Sequence, residues 1–370
     1  MAEPFSLRDH LFNETRVRRL ASLFGPAFDS EGFVRETVAD FPDLQLKQRI
    51  ARLADGLEVR LPQDFPAMAE RIRDALPPPL DPTRTDDDFG EFIHAPFGVL
   101  IERHGMQHPD LALDLLEEVT QRFSMEFAIR PFLNRWPEET LSRMETWASH
   151  PNYHVRRLVS EGTRPRLPWG SKIDIDPLRP LPLLDRLHAD PTRYVTRSVA
   201  NHLNDITRRH PESVIGRLSD WAAEGRQDQA ELRWMTAHAL RGLVKAGHPG
   251  AIALLGYRTD ADVTLSDLTL TPEEVRIGET AEIAFTLTAT GEEPVIVDYK
   301  FDFLTPSGRV SPRHFKLIQT SLQPGKPRRL AKRHRFKGGA TTFTLCPGAQ
   351  RLRILVNGRE LGTAILTLTL

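Results

Sequence analysis

Apolar residues recur at helical spacing through roughly the first 260 positions. Val17, Leu20, Ala21 and Phe24 form one stripe, and Phe33, Val34, Val38 and Phe41 form another. In LQLKQRIARLADGLEVRLP the apolar positions are Leu44, Ile50, Leu53 and Leu57, and Phe65 to Leu76 predicts a further helix. Pro77-Pro78-Pro79 and the acidic run from Asp81 to Glu91 predict a stiff loop, with helices resuming near Phe97. Beyond it the pattern repeats. Val155, Val195 and Leu232 open similar helices 37 to 40 residues apart, and Ser149-His150-Pro151 and Ala189-Asp190-Pro191 punctuate the chain ahead of the first two. That period suits two-helix repeats of the HEAT type, stacked into a curved α-solenoid whose second helices line a concave face.

From Val263 the period changes to two. VTLSDLTLT, AEIAFTLTAT, PVIVDYKFDFLT, TTFTLCPG, QRLRILVNG and TAILTLTL alternate or are rich in Val, Ile, Thr and Phe, with Gly and Pro between them. VNGRE predicts a hairpin turn. About seven strands in some 108 residues predict a small all-β immunoglobulin-like sandwich, without the buried cysteine pair of an antibody domain. The fold class is therefore mainly α, with a helical repeat domain over 1–260 and a β domain over 263–370.

The polar positions of the repeat helices form their own stripe. In HVRRLVSEGTRPRLPWG, Val155, Leu158, Val159 and Gly162 share one face, and at 100° per residue Arg157, Glu161 and Arg164 fall opposite. Pro165 and Pro168 end the helix and stiffen the exit that carries Arg166 and Trp169. One repeat later Arg197, Asn201, Asn204 and Arg208 take the same positions, and the third helix offers Trp234, His238 and Arg241. Upstream, SMEFAIRPFLNRW places Glu126, Arg130 and Asn134 on one stripe of a helix kinked at Pro131. A carboxylate between two arginines is commonly a solvated ion-pair stripe, and Arg157, Arg164, Arg197 and Asn201 read equally as ladder contacts inside the repeats.

The stretch VRRLVSEGTRPRLPW, Val155 to Trp169, closely resembles the AlkC/AlkD family of DNA glycosylases: Arg-Arg, Ser-Glu-Gly, Arg-Pro and Leu-Pro-Trp occur in order at fixed spacing. Leu44 to Leu57 and the β-rich tail resemble its AlkC branch. The resemblance implies HEAT-like repeats and excision of alkylated bases, with 3-methyladenine and 3-methylcytosine as preferred lesions. It implies carboxylates at Glu161 and Glu126 and an aromatic at Trp169 in the active site, no metal or cofactor, and a target base left in the stack. The chemistry suits these residue types. A ring-alkylated base is already a cationic leaving group, and cleavage builds positive charge on the sugar, which a fixed carboxylate opposes. An aromatic face holds a cation with about 0.5–2 kcal/mol.

The net charge of −1 excludes a simple polycation, although an average can hide a basic face. Between Phe303 and Arg359 there is no acidic residue, and KPRRLAKRHRFKGG within it supplies Lys326, Arg328, Arg329, Arg333 and Arg335 as expected DNA contacts. Arg157, Arg164, Arg166, Arg130, Arg197 and Asn201 are the expected contacts of the helical part. The single cysteine, Cys346, fits a cytoplasmic compartment, and no apolar run approaches the roughly 18 residues of a membrane span. The polar, acidic N-terminus is unlike a signal peptide. No HExxH or comparable histidine pair marks a metal site. The expected partner is double-stranded alkylated DNA, bound by a monomer. HEAT solenoids also serve as scaffolds that bind DNA or protein without catalysis, and release of a free base from alkylated DNA separates the two.

Overall fold

The computed structural model describes residues 6–83, 89–168, 170–338 and 344–370. Its helices are α1 (Leu7–Leu11), α2 (Glu14–Ser22), α3 (Ser30–Ala39), α4 (Leu46–Glu58), α5 (Phe65–Asp74), α6 (Ala95–His104), α7 (Pro109–Thr120), α8 (Arg130–Arg135), α9 (Pro137–Trp147), α10 (Tyr153–Gly162), α11 (Leu181–Leu187), α12 (Arg193–Ile206), α13 (Pro211–Glu224), α14 (Gln229–Ala246) and α15 (Pro249–Leu254). The residues at their starts explain them. Asn13, Asp29, Asp64 and Asn152 each cap a helix by accepting a backbone N–H within the first turn. Proline occupies the first turn of α5 to α9, where its missing N–H costs nothing.

Backbone proximity divides the chain into two compact units: Met1–Ile206 with Trp221–Ala239, and Thr207–Asp220 with Leu240–Leu370. In the first unit the apolar stripes are buried, as at Val17, Leu20, Phe33, Leu53 and Leu57. The three repeat helices opened by Val155, Val195 and Leu232 are α10, α12 and α14. Successive repeats are clasped by arginine–carboxylate bonds. Arg156 Nε donates to Asp190 Oδ2 at 2.5 Å, and one repeat on Arg193 Nε donates to Glu231 Oε1 at 2.9 Å. Asp190, just ahead of Pro191, also accepts from the Thr192 N–H at 2.9 Å, which sets the turn into α12.

One expectation fails here, and one alternative reading with it. The helix predicted through 124–136 begins only at Arg130, with Pro131 in its first turn, so Glu126 sits on the preceding turn and shares no helical stripe with Arg130 and Asn134. The reason is the proline itself: it has no N–H with which to carry a helix on from the preceding turn, and it is at home where a helix starts. The polar face of α10 is also not solvated, since Arg157, Ser160 and Glu161 are buried along with the apolar face.

The second unit contains the β sandwich: β1 (Val263–Thr271), β2 (Glu274–Arg276), β3 (Thr280–Ala289), β4 (Glu293–Leu304), β5 (Val310–Leu322), β6 (Arg328–Arg335), β7 (Gly348–Val356) and β8 (Arg359–Thr369). The sheets run β1-β3-β6 and β2-β8-β7-β4-β5, antiparallel except for β2 beside β8. Ile283, Phe285 and Leu287 of β3 meet Val297, Tyr299 and Phe301 of β4 and Leu352 and Ile354 of β7 in the core. Asn357 and Gly358 have φ of 46° and 78° in the β7–β8 turn, the left-handed pair a two-residue hairpin needs. Gly358 also lies against Gly247, where a Cβ would stand 2.6 Å from the Gly247 Cα.

Three strands lack a clean sequence signal. β2 is short, β5 carries Pro312 and a mixed pattern, and β6 is the basic run, whose only buried side chains are Leu330 and His334. The strand expected from TTFTLCPG is not formed over 344–347, and the rest of that stretch lies outside the described residues. Among the described residues no helix is long and apolar enough to cross a membrane, and no three His, Cys, Asp or Glu side chains gather as metal ligands would.

Candidate active site

The polar residues of α10 join a buried chain of alternating charge. Glu161 is 5% exposed. Its Oε1 accepts from Arg164 Nη1 at 2.6 Å, and its Oε2 accepts from Ser198 Oγ of α12 at 2.6 Å with Arg157 Nη2 at 3.6 Å. Arg157 Nη1 donates to Glu126 Oε2 and to Ser124 Oγ, each at 2.6 Å, and Ser124 Oγ in turn donates to Glu126. At the other end Arg164 Nε donates to Asp205 Oδ2 at 3.0 Å. The order is Glu126–Arg157–Glu161–Arg164–Asp205. Rings wall one side: the Arg157 guanidinium lies 4.6 Å from the Tyr194 centroid and 5.3 Å from that of Phe89.

These neighbours fix the protonation states. Burial pushes the Glu161 carboxyl up, but Arg157, Arg164 and the Ser198 hydroxyl more than reverse this and hold it below the usual carboxylate range. Burial alone would lower Arg157, yet Glu126 and Glu161 raise it, so it stays charged. Asp205 is raised by burial, which Arg164 only partly offsets. His202, fully buried and with Nδ1 3.0 Å from the Ser160 carbonyl oxygen, is lowered by burial to about 3 and is neutral. The result is a carboxylate that is ionised, immobile and shielded from water. Such a group opposes positive charge at a fixed point without reorganising.

Several expected DNA contacts are redirected inward. Arg130 is 0% exposed, and its guanidinium donates to the carbonyls of Gly162 and Arg164, each at 2.9 Å, and to that of Ser171. It clasps the loop after α10 instead of facing solvent, from its place as the first residue of α8. Arg157 and Arg164 likewise spend their donors on Glu126, Glu161 and Asp205. Arg166 is exposed, while Arg197 is half-buried and Asn201 Oδ1 accepts from His238 Nε2 at 2.9 Å. Trp169 lies outside the described residues. Lys326, Arg328, Arg329, Arg333 and Arg335 are exposed on or beside β6. Asp205, Ser124, Ser198 and Tyr194 were not singled out from the sequence. Asp205 had one usable signal, its place one turn beyond Asn201 on the same helix.

The family model described as "Uncharacterised protein YhaZ, C-terminal Ig-like domain" matches residues 264–370. The Bacillus subtilis (strain 168) protein YhaZ is 33% identical over 337 residues, covering 90% of each chain. Among solved structures, the Pseudomonas fluorescens alkylpurine DNA glycosylase AlkC, bound to DNA containing an abasic site analog, is 33% identical with a TM-score of 0.88, covering 99% of this chain and 100% of that one.

Proposed function

The chain belongs to the AlkC family of helical-repeat proteins that end in an immunoglobulin-like domain, and from that membership we propose that it is a DNA glycosylase of base excision repair. Its substrates are cationic N3-alkylated bases in duplex DNA, 3-methyladenine and 3-methylcytosine, and the enzyme acts as a cytoplasmic monomer. The observation that carries this reading is likeness to a glycosylase along the whole chain. In the reaction the electron pair of the N-glycosidic bond passes to the ring of the cationic base, which leaves neutral. Water adds its oxygen to the sugar carbon and releases a proton.

Glu161 is the catalytic carboxylate, opposing the charge that develops on the sugar. Glu126 is the second carboxylate, and Trp169 holds the cation by its ring face. Arg157, Arg164 and Arg130 are positioning residues. Arg166, Arg197, Asn201 and the cations of β6 bind the duplex, and the target base stays in the stack. Neither carboxylate needs a metal for this role. The test is release of free base from methylated duplex DNA by the purified protein, with and without chelator. Equal release in both supports the reading, and release abolished by chelator and restored by metal overturns the mechanism. Binding of DNA without release makes the protein a scaffold.

A further inference from the structure

A second feature borders the ionic chain. A cavity of about 350 Å³ opens beside Glu126, within the size range of small-molecule sites. Its wall carries the rings of Phe89, Phe92, Phe123 and Phe127 and two carboxyl groups, Glu102 on α6 and Glu126. Phe92 and Phe123 stand 4.6 Å apart between centroids. Gly98 on α6 has no Cβ, which would come within 2.6 Å of the Phe127 ring, so that ring packs directly onto the helix. Phe89 is 43% exposed and also faces the Arg157 guanidinium, and Ser124 lines the cavity while bonding Arg157. The cavity and the carboxylate chain therefore share a wall.

Flat aromatic faces accept a flat ring, and the two carboxyl groups accept N–H donors at its edge. We propose that this cavity is a subsite for the released base: an N-alkylated nucleobase stacked among the four phenyl rings with its amino edge toward Glu102. This rests on the reading of the chain as a glycosylase. Burial raises the Glu102 carboxyl to about 7 against the pull of neighbouring Arg103. Lys47 from α4 and Glu126 are the other charged groups on the cavity wall. Near neutral pH Glu102 thus exists in both forms, as suits pairing with the N–C–NH₂ edge of an aminoheterocycle, where a proton sits on either partner.

The experiment uses the full chain without DNA and free 3-methyladenine as the probe, followed by calorimetry or saturation-transfer NMR, with purine, which lacks the amino group, as the control. Saturable binding of 3-methyladenine well above purine is expected. Glu102→Gln should weaken it about ten- to a hundredfold, the range for loss of a hydrogen bond to a charged group. Ala51→Leu, at a half-buried cavity position of α4, should abolish it by filling the space, and melting curves report folding of both variants. Equal affinity for the two probes, no saturable binding by the wild type, or two folded variants that bind like wild type would each overturn the subsite. Excision from methylated DNA without binding of the free base sinks the subsite and leaves the glycosylase reading. Binding without excision sinks that reading and with it the assignment of the ligand as a released base.

Discussion

Glu161 carries its charge where water cannot screen it, between Arg157 and Arg164 and under the Ser198 hydroxyl. By helical spacing it lies opposite the Val155–Leu158–Val159–Gly162 packing stripe, a placement from which Glu161→Gln is expected to spare stability. The buried geometry reverses half of that expectation. Glutamine keeps the shape but leaves two guanidinium groups short of one counter-charge, at a cost on the order of 1–3 kcal/mol in unfolding free energy. Single-turnover excision should fall about 10² to 10³, the size of one preorganised electrostatic partner. Rates measured well below the melting temperature separate the two effects, and near-wild-type excision would remove Glu161 from the chemistry. His202 gives a second expectation at this scale. Its folded value of about 3 lies below the ordinary 6.5, so between these values the unfolded chain binds a proton that the folded chain refuses. Stability should therefore fall as pH drops from about 6.5, by up to about 1.4 kcal/mol per pH unit for one such group. His94, lowered by burial to about 4, adds to the slope, and Asp205, raised by burial, blunts its acid end. His202→Asn should flatten melting temperature against pH between 7 and 5, and an unchanged slope would show that other groups set the acid limit.

At the scale of elements, the clasp formed by Arg130 links the start of α8 to the exit of α10. Its planar fork reaches carbonyls at 162, 164 and 171, which a lysine cannot imitate. Arg130→Lys should speed amide exchange across 163–172 about five- to tenfold, as loss of one hydrogen bond implies, and should lower excision more than DNA affinity. Unchanged exchange would mean that Pro165 and Pro168 alone hold this loop. The same elements explain what could be read beforehand. Helix positions were legible because apolar period and caps such as Asn152 are local. The burial of the α10 polar face was not, because it depends on Ser198 and Tyr194 one repeat away and on Glu126, whose turn Pro131 decides. In the β unit, alternation exposed β3, β4, β7 and β8, while β6 was hidden because arginine or lysine occupies five of its eight positions and only Leu330 and His334 are buried.

For the whole molecule, the −1 net charge conceals a β unit whose basic strand stands out from its surroundings. If β6 meets DNA, replacing Arg328, Arg329, Arg333 and Arg335 by alanine should weaken binding and flatten the dependence of log affinity on log salt by about 0.9 for each phosphate no longer neutralised. The same slope in a folded variant would confine these arginines to the surface.

Among the described residues β6 is also the outer strand of its sheet, paired with β3 alone. An outer strand offers its free N–H and C=O groups to any other extended chain, and a row of like charges is a common guard against such pairing. Alanine at those four positions would strip the guard together with the charges proposed to bind DNA, and the variant would be expected to self-associate and precipitate at high concentration. Glutamate there would weaken affinity for a polyanion further yet keep copies apart by mutual repulsion. Turbidity and sedimentation of the two variants therefore distinguish a strand shaped by its ligand from one shaped by the need to remain in solution.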